Sequence, residues 1–216
     1  MNKIKKLIGI PVIIHPIVDS THYVNREYSY SGASLVQKNT LIVSDYDYDN
    51  AILYNRINTE GLNHACLMID KEHNRLNESE IILQNKEMLG PFTNIINLFN
   101  VLSGSEDDAY EYYHILQEEV AYLVDNEIMG TITTVIYYDE SLGLIDRSVV
   151  SGLKGLIEGL GTKLPNHGII CNGVIASYDV PFEVVVNTAF YMSGKFGCIL
   201  NGEVMELKER NEQFTN

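Results

Sequence analysis

Cysteine, histidine and clustered aspartate are the residue types here with the most obvious chemical reach, and their spacing argues against most of it. Cys66, Cys171 and Cys198 lie in the apolar runs HACLMID, GIICNGV and GCILNG, with no CxxC and no Cys/His pairing. Such thiols read as buried, reduced side chains of a cytosolic protein. His15, His22, His64, His73, His114 and His167 are scattered without ligand spacing, so no zinc site is expected. The aspartates of 45-DYDYD-49 are dense enough to invite a calcium reading, but the glycine and later glutamate of an EF-hand loop are absent. A solvated turn is the expected role of this run. The tyrosines of 23-YVNREYSY-30 and 45-DYDYDNAILY-54 offer a recognition surface as the alternative.

The elements that must position these residues alternate along the chain. Strand candidates are 7-LIGIPVII-14, 40-TLIVSDY-46, 64-HACLMID-70, 93-TNIINLFNV-101, 130-GTITTVIYY-138, 168-GIICNGVIA-176 and 197-GCILNGEVMEL-207. Most are apolar without polar alternation, the pattern of strands covered on both faces. Helix candidates are 48–61, 77–90, 106–127, 145–164 and 182–194, with Asp49 or Asn50, and Asn77, as N-caps and Gly61, Gly90 and Gly194 as stops. Strand and helix alternating over the whole length predict an α/β fold with a mainly parallel sheet and right-handed crossovers.

The 216 residues show no linker, repeat or low-complexity tract, so one domain over 1–216 is expected. A net charge of −14 excludes the basic stripe of a nucleic-acid binder; the one lysine cluster is Lys3, Lys5 and Lys6. The start MNKIKKLIGIPVIIHP has the basic and apolar parts of a signal peptide. Its apolar run is short, holds Pro11 and lacks a small-residue cleavage site, so a buried strand is expected instead. No run is long enough to cross a bilayer, and a cytoplasmic location without membrane contact follows as the expectation.

The segment 144–174 carries a resemblance to a known family. Gly155-Leu156, Leu160, Leu164, Gly168-Ile169 and Asn172 resemble, without a gap, the catalytic helix and next strand of the short-chain dehydrogenase/reductases. Pro181-Phe182-Glu183-Val184 through Gly202-Glu203-Val204 is similar to that family's last helix and strand. Gly90-Pro91 with Asn94-Ile95-Ile96-Asn97 resembles the approach to its Asn-Asn-Ala-Gly strand end, and Gly130-Thr131-Ile132 its fifth strand. Val43-Ser44-Asp45 resembles its second strand, whose terminal acid often holds a ribose hydroxyl. The resemblance covers roughly residues 40 to 207 and implies a Rossmann-like, doubly wound sheet with helices on both faces.

The same resemblance exposes what is missing. Counting back from Asn172, Val150 stands at the place of the family's lysine and Asp146 at that of its tyrosine. Valine can neither bind a ribose nor lower a phenol's pKa, and an aspartate is already ionised near neutral pH. Lys154 lies one helical turn further on, an offset of about 6 Å. Tyr137 and Tyr138 are the candidates for a rewired acid/base, and Ser141 is the serine near the strand end. Of the cofactor-binding residues, Asp45 and Asn97 survive as candidates. The loop 15–32 assigned to the pyrophosphate has no glycine before Gly32, so no NAD(P) is expected. Ala176-Ser177 replaces the family's Pro-Gly, and the substrate lid after it is gone.

What remains builds a scaffold. Val149, Leu153, Leu156, Leu160 and Leu164 form one apolar stripe, and Gly152, Gly155, Gly159 and Gly161 share its helix, which predicts close approach to a neighbouring helix. Helix 106–127 carries more apolar surface than one buried face needs, and in the resembled family these two helices form a four-helix bundle between subunits. The expected function is a structural or regulatory pseudoenzyme, acting as a homo-oligomer or beside an active paralogue. The alternatives are a divergent NAD(P)-dependent oxidoreductase and a small-ligand sensor using the old nucleotide crevice.

Overall fold

The β-branched apolar runs of the sequence form the strands, and the amphipathic runs between them form the helices. The computed structural model describes residues 39–45, 50–60, 63–69, 90–101, 106–139, 141, 143–194 and 197–208. Along these, β1 (Asn39–Asp45) leads through α1 (Asn50–Glu60) to β2 (Asn63–Ile69), and β3 (Asn94–Val101) through α2 (Glu106–Asp125) to β4 (Gly130–Tyr138). Then come α3 (Leu144–Lys163), a 3-10 turn at Leu164–His167, β5 (Ile169–Ser177), α4 (Phe182–Ser193), a second 3-10 turn at Gly197–Ile199 and β6 (Val204–Leu207). Every pairing among the described strands is parallel, in the order β2-β1-β3-β4-β5-β6. This is the Rossmann-like α/β architecture that the sequence predicted.

The central strands feed two cores, because successive side chains point to opposite faces. From β3, Ile95, Phe99 and Val101 join Ile132, Ile136, Cys171 and Ile175 beneath α2 and α3. Ile96 and Leu98 join Val135, Val174 and Ala176 beneath α1 and α4. All eight residues of β3 are buried, which is why its sequence shows no polar alternation. Burying each isoleucine or leucine contributes about 1.5–3 kcal/mol, so the central strands hold the molecule together.

The C-terminal run 197–207 departs from expectation: it is a 3-10 turn, a tight turn and a short strand, not one strand. Gly202 takes a positive φ of 82°, and α3 comes so close that a Cβ on Gly161 would strike the Gly202 backbone. Asn201 fixes this corner. Its Nδ2 donates to the Gly161 carbonyl (2.6 Å) and its Oδ1 accepts from the Cys171 amide (3.0 Å). The predicted strand 7–14 lies outside the described residues, as do residues 77–89 of the predicted helix 77–90.

The glycines of α3 divide. Gly152 faces the Tyr113 hydroxyl on α2 and Gly161 faces the β5–β6 corner, whereas a methyl group on Gly155 or Gly159 would meet nothing within 4 Å. Close approach within the chain thus explains two of the four. On α2 the apparent surplus of apolar residues is mostly absorbed by the molecule's own core: Tyr112, Ile115, Leu116 and Leu123 are buried, and Tyr113, Val120, Tyr122 and Val124 pack against them. Tyr110 is the outlier, 61% exposed.

Candidate functional site

Ligands of doubly wound sheets sit at the carboxyl ends of the strands where the order reverses. Here β1 leads outward to β2, while β3 lies on its other side, so the reversal falls between β1 and β3. The direct pairing of β1 with β3, from Thr40↔Asn94 to Ser44↔Leu98, leaves no place for another strand between them. In the doubly wound order the first strand separates the second from the fourth. Val43-Ser44-Asp45 therefore occupies the first-strand position, not the second-strand position the resemblance assigned. Asp45 ends β1, at the reversal of the sheet. The connection to α1 is 46-YDYD-49, and no glycine occurs from 33 to 60. Residues 15–32 lie outside the described residues.

Asn97, the other cofactor candidate, is fully buried under α2. Its Nδ2 donates to Glu119 Oε2 (2.8 Å) and Thr134 Oγ1 (3.4 Å), which makes it a bracket between β3, β4 and α2. Glu119 is itself inaccessible, and together with burial its charge pushes the neighbouring Cys171 thiol far above the ordinary cysteine range, burial being the larger cause. A thiol so placed is inert.

Tyrosines occupy the carboxyl ends of β3, β4 and β5. The Tyr112 hydroxyl donates to the Asn100 carbonyl (2.8 Å), and its ring stacks on Phe99 at 4.3 Å. Tyr178, on the turn after β5, donates its hydroxyl to Asn100 Oδ1, so it reaches from β5 past β4 to β3. Tyr137 packs against Tyr178 (4.6 Å) and Phe182 (5.8 Å), and its hydroxyl donates to the Val180 carbonyl (2.9 Å). Burial, then the charge of Asp179, raises its pKa, the wrong direction for a phenol that must ionise. Tyr137 is thus tied into the packing of the strand end by its hydrogen bond to Val180. Ser141 is exposed, and its amide donates to Asp139 Oδ1 (2.8 Å) in a local turn that lowers the Asp139 pKa. No lid intervenes: the Tyr178 amide still donates to the Tyr138 carbonyl (2.9 Å), and Pro181 opens α4.

A cleft of about 430 Å³ runs beside the N-terminal half of α3, lined by Tyr138, Arg147, Val150, Ser151, Lys154, Ile175 and Glu206. It brings together Tyr138, Lys154 and Val150 among the residues predicted from sequence. Val150 is only 9% exposed, and Asp146 lies in the first turn of α3. Lys154 Nζ is held by Glu206 Oε1 at 2.6 Å, which raises the lysine's pKa and lowers the glutamate's, the hydrogen bond being the largest cause for both. An ammonium compensated in this way exerts little pull on a nearby phenol. Arg147, Ser151 and Glu206 were not singled out by sequence reasoning. Arg147, Ser151 and Lys154 share one face of α3 by their i, i+4, i+7 spacing, whereas nothing local in the sequence marks Glu206. Among the described residues no group of three His, Cys, Asp or Glu could hold a metal ion, and no helix is long and apolar enough to cross a membrane.

No family model and no curated protein matches the sequence. Solved structures do match in shape. A double mutant of a Serratia marcescens short-chain dehydrogenase/reductase superposes with a TM-score of 0.61 at 16% identity, over 81% of this chain and 97% of the other. A putative oxidoreductase from Escherichia coli K-12 gives 0.57 at 12%, over 79% and 95%. A short-chain dehydrogenase from Leptospira borgpetersenii with bound NAD+ gives 0.59 at 10%, over 85% and 97%. At these identities the likeness concerns the fold alone, and that fold is the one of the short-chain dehydrogenase/reductases.

Proposed function

We propose that this chain is a short-chain-dehydrogenase-like scaffold that has lost dinucleotide chemistry and acts by association, as a structural or regulatory subunit. The observation that carries this reading is the sequence at the reversal of the sheet, 45-DYDYD-49. A pyrophosphate needs glycines there, so that backbone amides and a helix N-terminus can approach it. The three aspartates of 45-DYDYD-49 offer repulsion instead of donors. The Tyr178 bridge to Asn100 and the valine at position 150 point the same way.

Association is supported by α3. Gly155 and Gly159 open on empty space, and each costs up to about 1 kcal/mol relative to alanine, with nothing among the described residues to offset it. A partner helix from a second copy or an active paralogue, packed against α3 and the exposed Tyr110 of α2, supplies the missing contact.

Titration with NADH and NADPH tests the first part. The expected outcome is that neither quenches the tyrosine fluorescence nor shifts the melting temperature, whereas a ligand at 100 times its Kd would add about 2.7 kcal/mol of stability. Saturable binding of either cofactor overturns the reading. Sedimentation tests the second part, and a monomer at high concentration, alone and with its paralogue, removes it.

A divergent NAD(P)-dependent oxidoreductase is the second reading, favoured by Tyr138, Ser151 and Lys154 lining one cleft. In sequence an acidic residue, Asp70, directly follows Ile69, the last residue of β2. NAD(P)H-dependent carbonyl reduction abolished by Tyr138→Phe would establish it.

A further inference from the structure

We infer that Asn201–Gly202 is a latent modification site: the folded corner between β5 and β6 keeps Asn201 from deamidating, and once it has reacted the corner cannot close again. Asn-Gly occurs twice in the sequence, at 172–173 and 201–202. In such a pair the glycine nitrogen attacks the asparagine Cγ, since no Cβ on the glycine hinders the approach. The new N–Cγ bond closes a succinimide ring, the Cγ–Nδ2 bond breaks, and the nitrogen's proton leaves with Nδ2 as ammonia. Water then opens the ring to aspartate or isoaspartate. Nothing beyond the chain and water is consumed.

Every reacting group at 201–202 is held. The nucleophile, the Gly202 amide, donates to the Cys171 carbonyl (2.8 Å) and so faces β5. The leaving group, Asn201 Nδ2, donates to the Gly161 carbonyl in the last turn of α3 (2.6 Å), and Oδ1 of the carbonyl under attack accepts from the Cys171 amide (3.0 Å). The Gly202 backbone, at φ 82°, also lies against Gly161, which limits its rotation. Reaction therefore proceeds through an opened corner, in proportion to its population. Because β6 is short and half-exposed, that opening costs less than opening the sheet's interior. Asn172 is the built-in reference. It is 1% exposed on β5 between β4 and β6, its Nδ2 donates to the Gly197 carbonyl (2.7 Å), and the Gly173 amide donates to the Glu203 carbonyl (2.9 Å). Neither product restores the corner. An aspartate has no donor for the Gly161 carbonyl and sets a charge beside it, and an isoaspartate lengthens the backbone where Gly202 is pressed against α3. The inference goes beyond the scaffold reading and draws nothing from it.

The full chain is held at mildly alkaline pH, folded or in urea, then digested, and the peptides carrying residues 172 and 201 are followed by mass spectrometry for conversion of amide to acid. In urea both asparagines convert at comparable rates. In the folded chain Asn201 converts roughly tenfold or more slowly than in urea, about 1.4 kcal/mol of opening free energy, and Asn172 more slowly still. Asn201→Asp, the product itself, lowers the melting temperature or leaves the chain unfolded. Asn166→Asp, the same charge change at an exposed turn residue, leaves the melting temperature nearly unchanged. The inference is overturned if Asn201 fails to convert in urea, if it converts as fast in the folded chain as in urea, or if Asn172 converts ahead of it in the folded chain. An Asn201→Asp chain that melts like the wild type overturns it as well.

Discussion

Tyr178 shows how one side chain decides what the carboxyl edge of the sheet can hold. Its hydroxyl joins the turn after β5 to Asn100 on β3, and its ring packs on Tyr137. A partly buried hydrogen bond of this kind contributes about 1 kcal/mol net. Tyr178→Phe should lower the urea-derived unfolding free energy by about that amount, with Tyr137→Phe a similar loss through Val180. An unchanged midpoint in both would mean that the tyrosines do not bridge the strand ends in solution. None of this was legible in the sequence, which marked Tyr137 as a possible acid and gave Tyr178 no role, because a hydroxyl's partner is set by strands far apart along the chain.

At the scale of elements, α3 is tested by its own glycines. Gly161→Ala drives a methyl into the Gly202 backbone, which has no flexible end to yield, and should destabilise by about 1–3 kcal/mol. Gly159→Ala meets open space and should stabilise an isolated chain by up to about 1 kcal/mol. If thermal unfolding ranks them the other way, the packing of α3 against the β5–β6 corner is wrong. The Lys154–Glu206 pair ties α3 to β6 and gives a pH dependence. Glu206 has its pKa lowered below the ordinary 4.5, so the pair's contribution is present above that value and lost as pH falls through the lowered pKa. Lys154 has its pKa raised above 10.5, so the same contribution persists through neutrality and is lost only as pH rises through the raised value. Glu206→Gln should flatten the part of the acid limb just below pH 4.5, and the difference from the wild-type chain should shrink in roughly 0.5 M salt, since both side chains are solvent-exposed. An unaltered acid limb would show that the pair is not formed.

At the scale of the molecule, the two cores on opposite faces of one parallel sheet predict where the fold opens last. β3 is buried along its whole length and β4 and β5 nearly so, while β6 is a short, half-exposed edge strand. Native-state amide exchange should be slowest in β3, β4 and β5 and faster in β6. Protection as high in β6 as in β3 would contradict the strand order.

Local sequence determined the kind of fold. Unbroken β-branched runs such as 130-GTITTVIYY-138 match an observed strand residue for residue, because a strand covered on both faces has no polar side to display. The period of α3 was legible in part: of the predicted stripe, Leu153 and Leu164 are buried and Val149, Leu156 and Leu160 pack half-buried against the core, while Val150 and Ile157, outside that stripe, are the other buried positions. Only the tertiary structure decided which strand is central. The pairing of 39–45 with 94–101 joins residues more than fifty apart, and periodicity within a run carries no information about its neighbours. That single adjacency places the reversal of the sheet at the end of β1, where Asp45 stands. The packing of α3 on β5 and β6 likewise gathers Arg147, Ser151 and Lys154 beside Glu206 in a cleft, a meeting of residues up to 59 apart that no local pattern encodes.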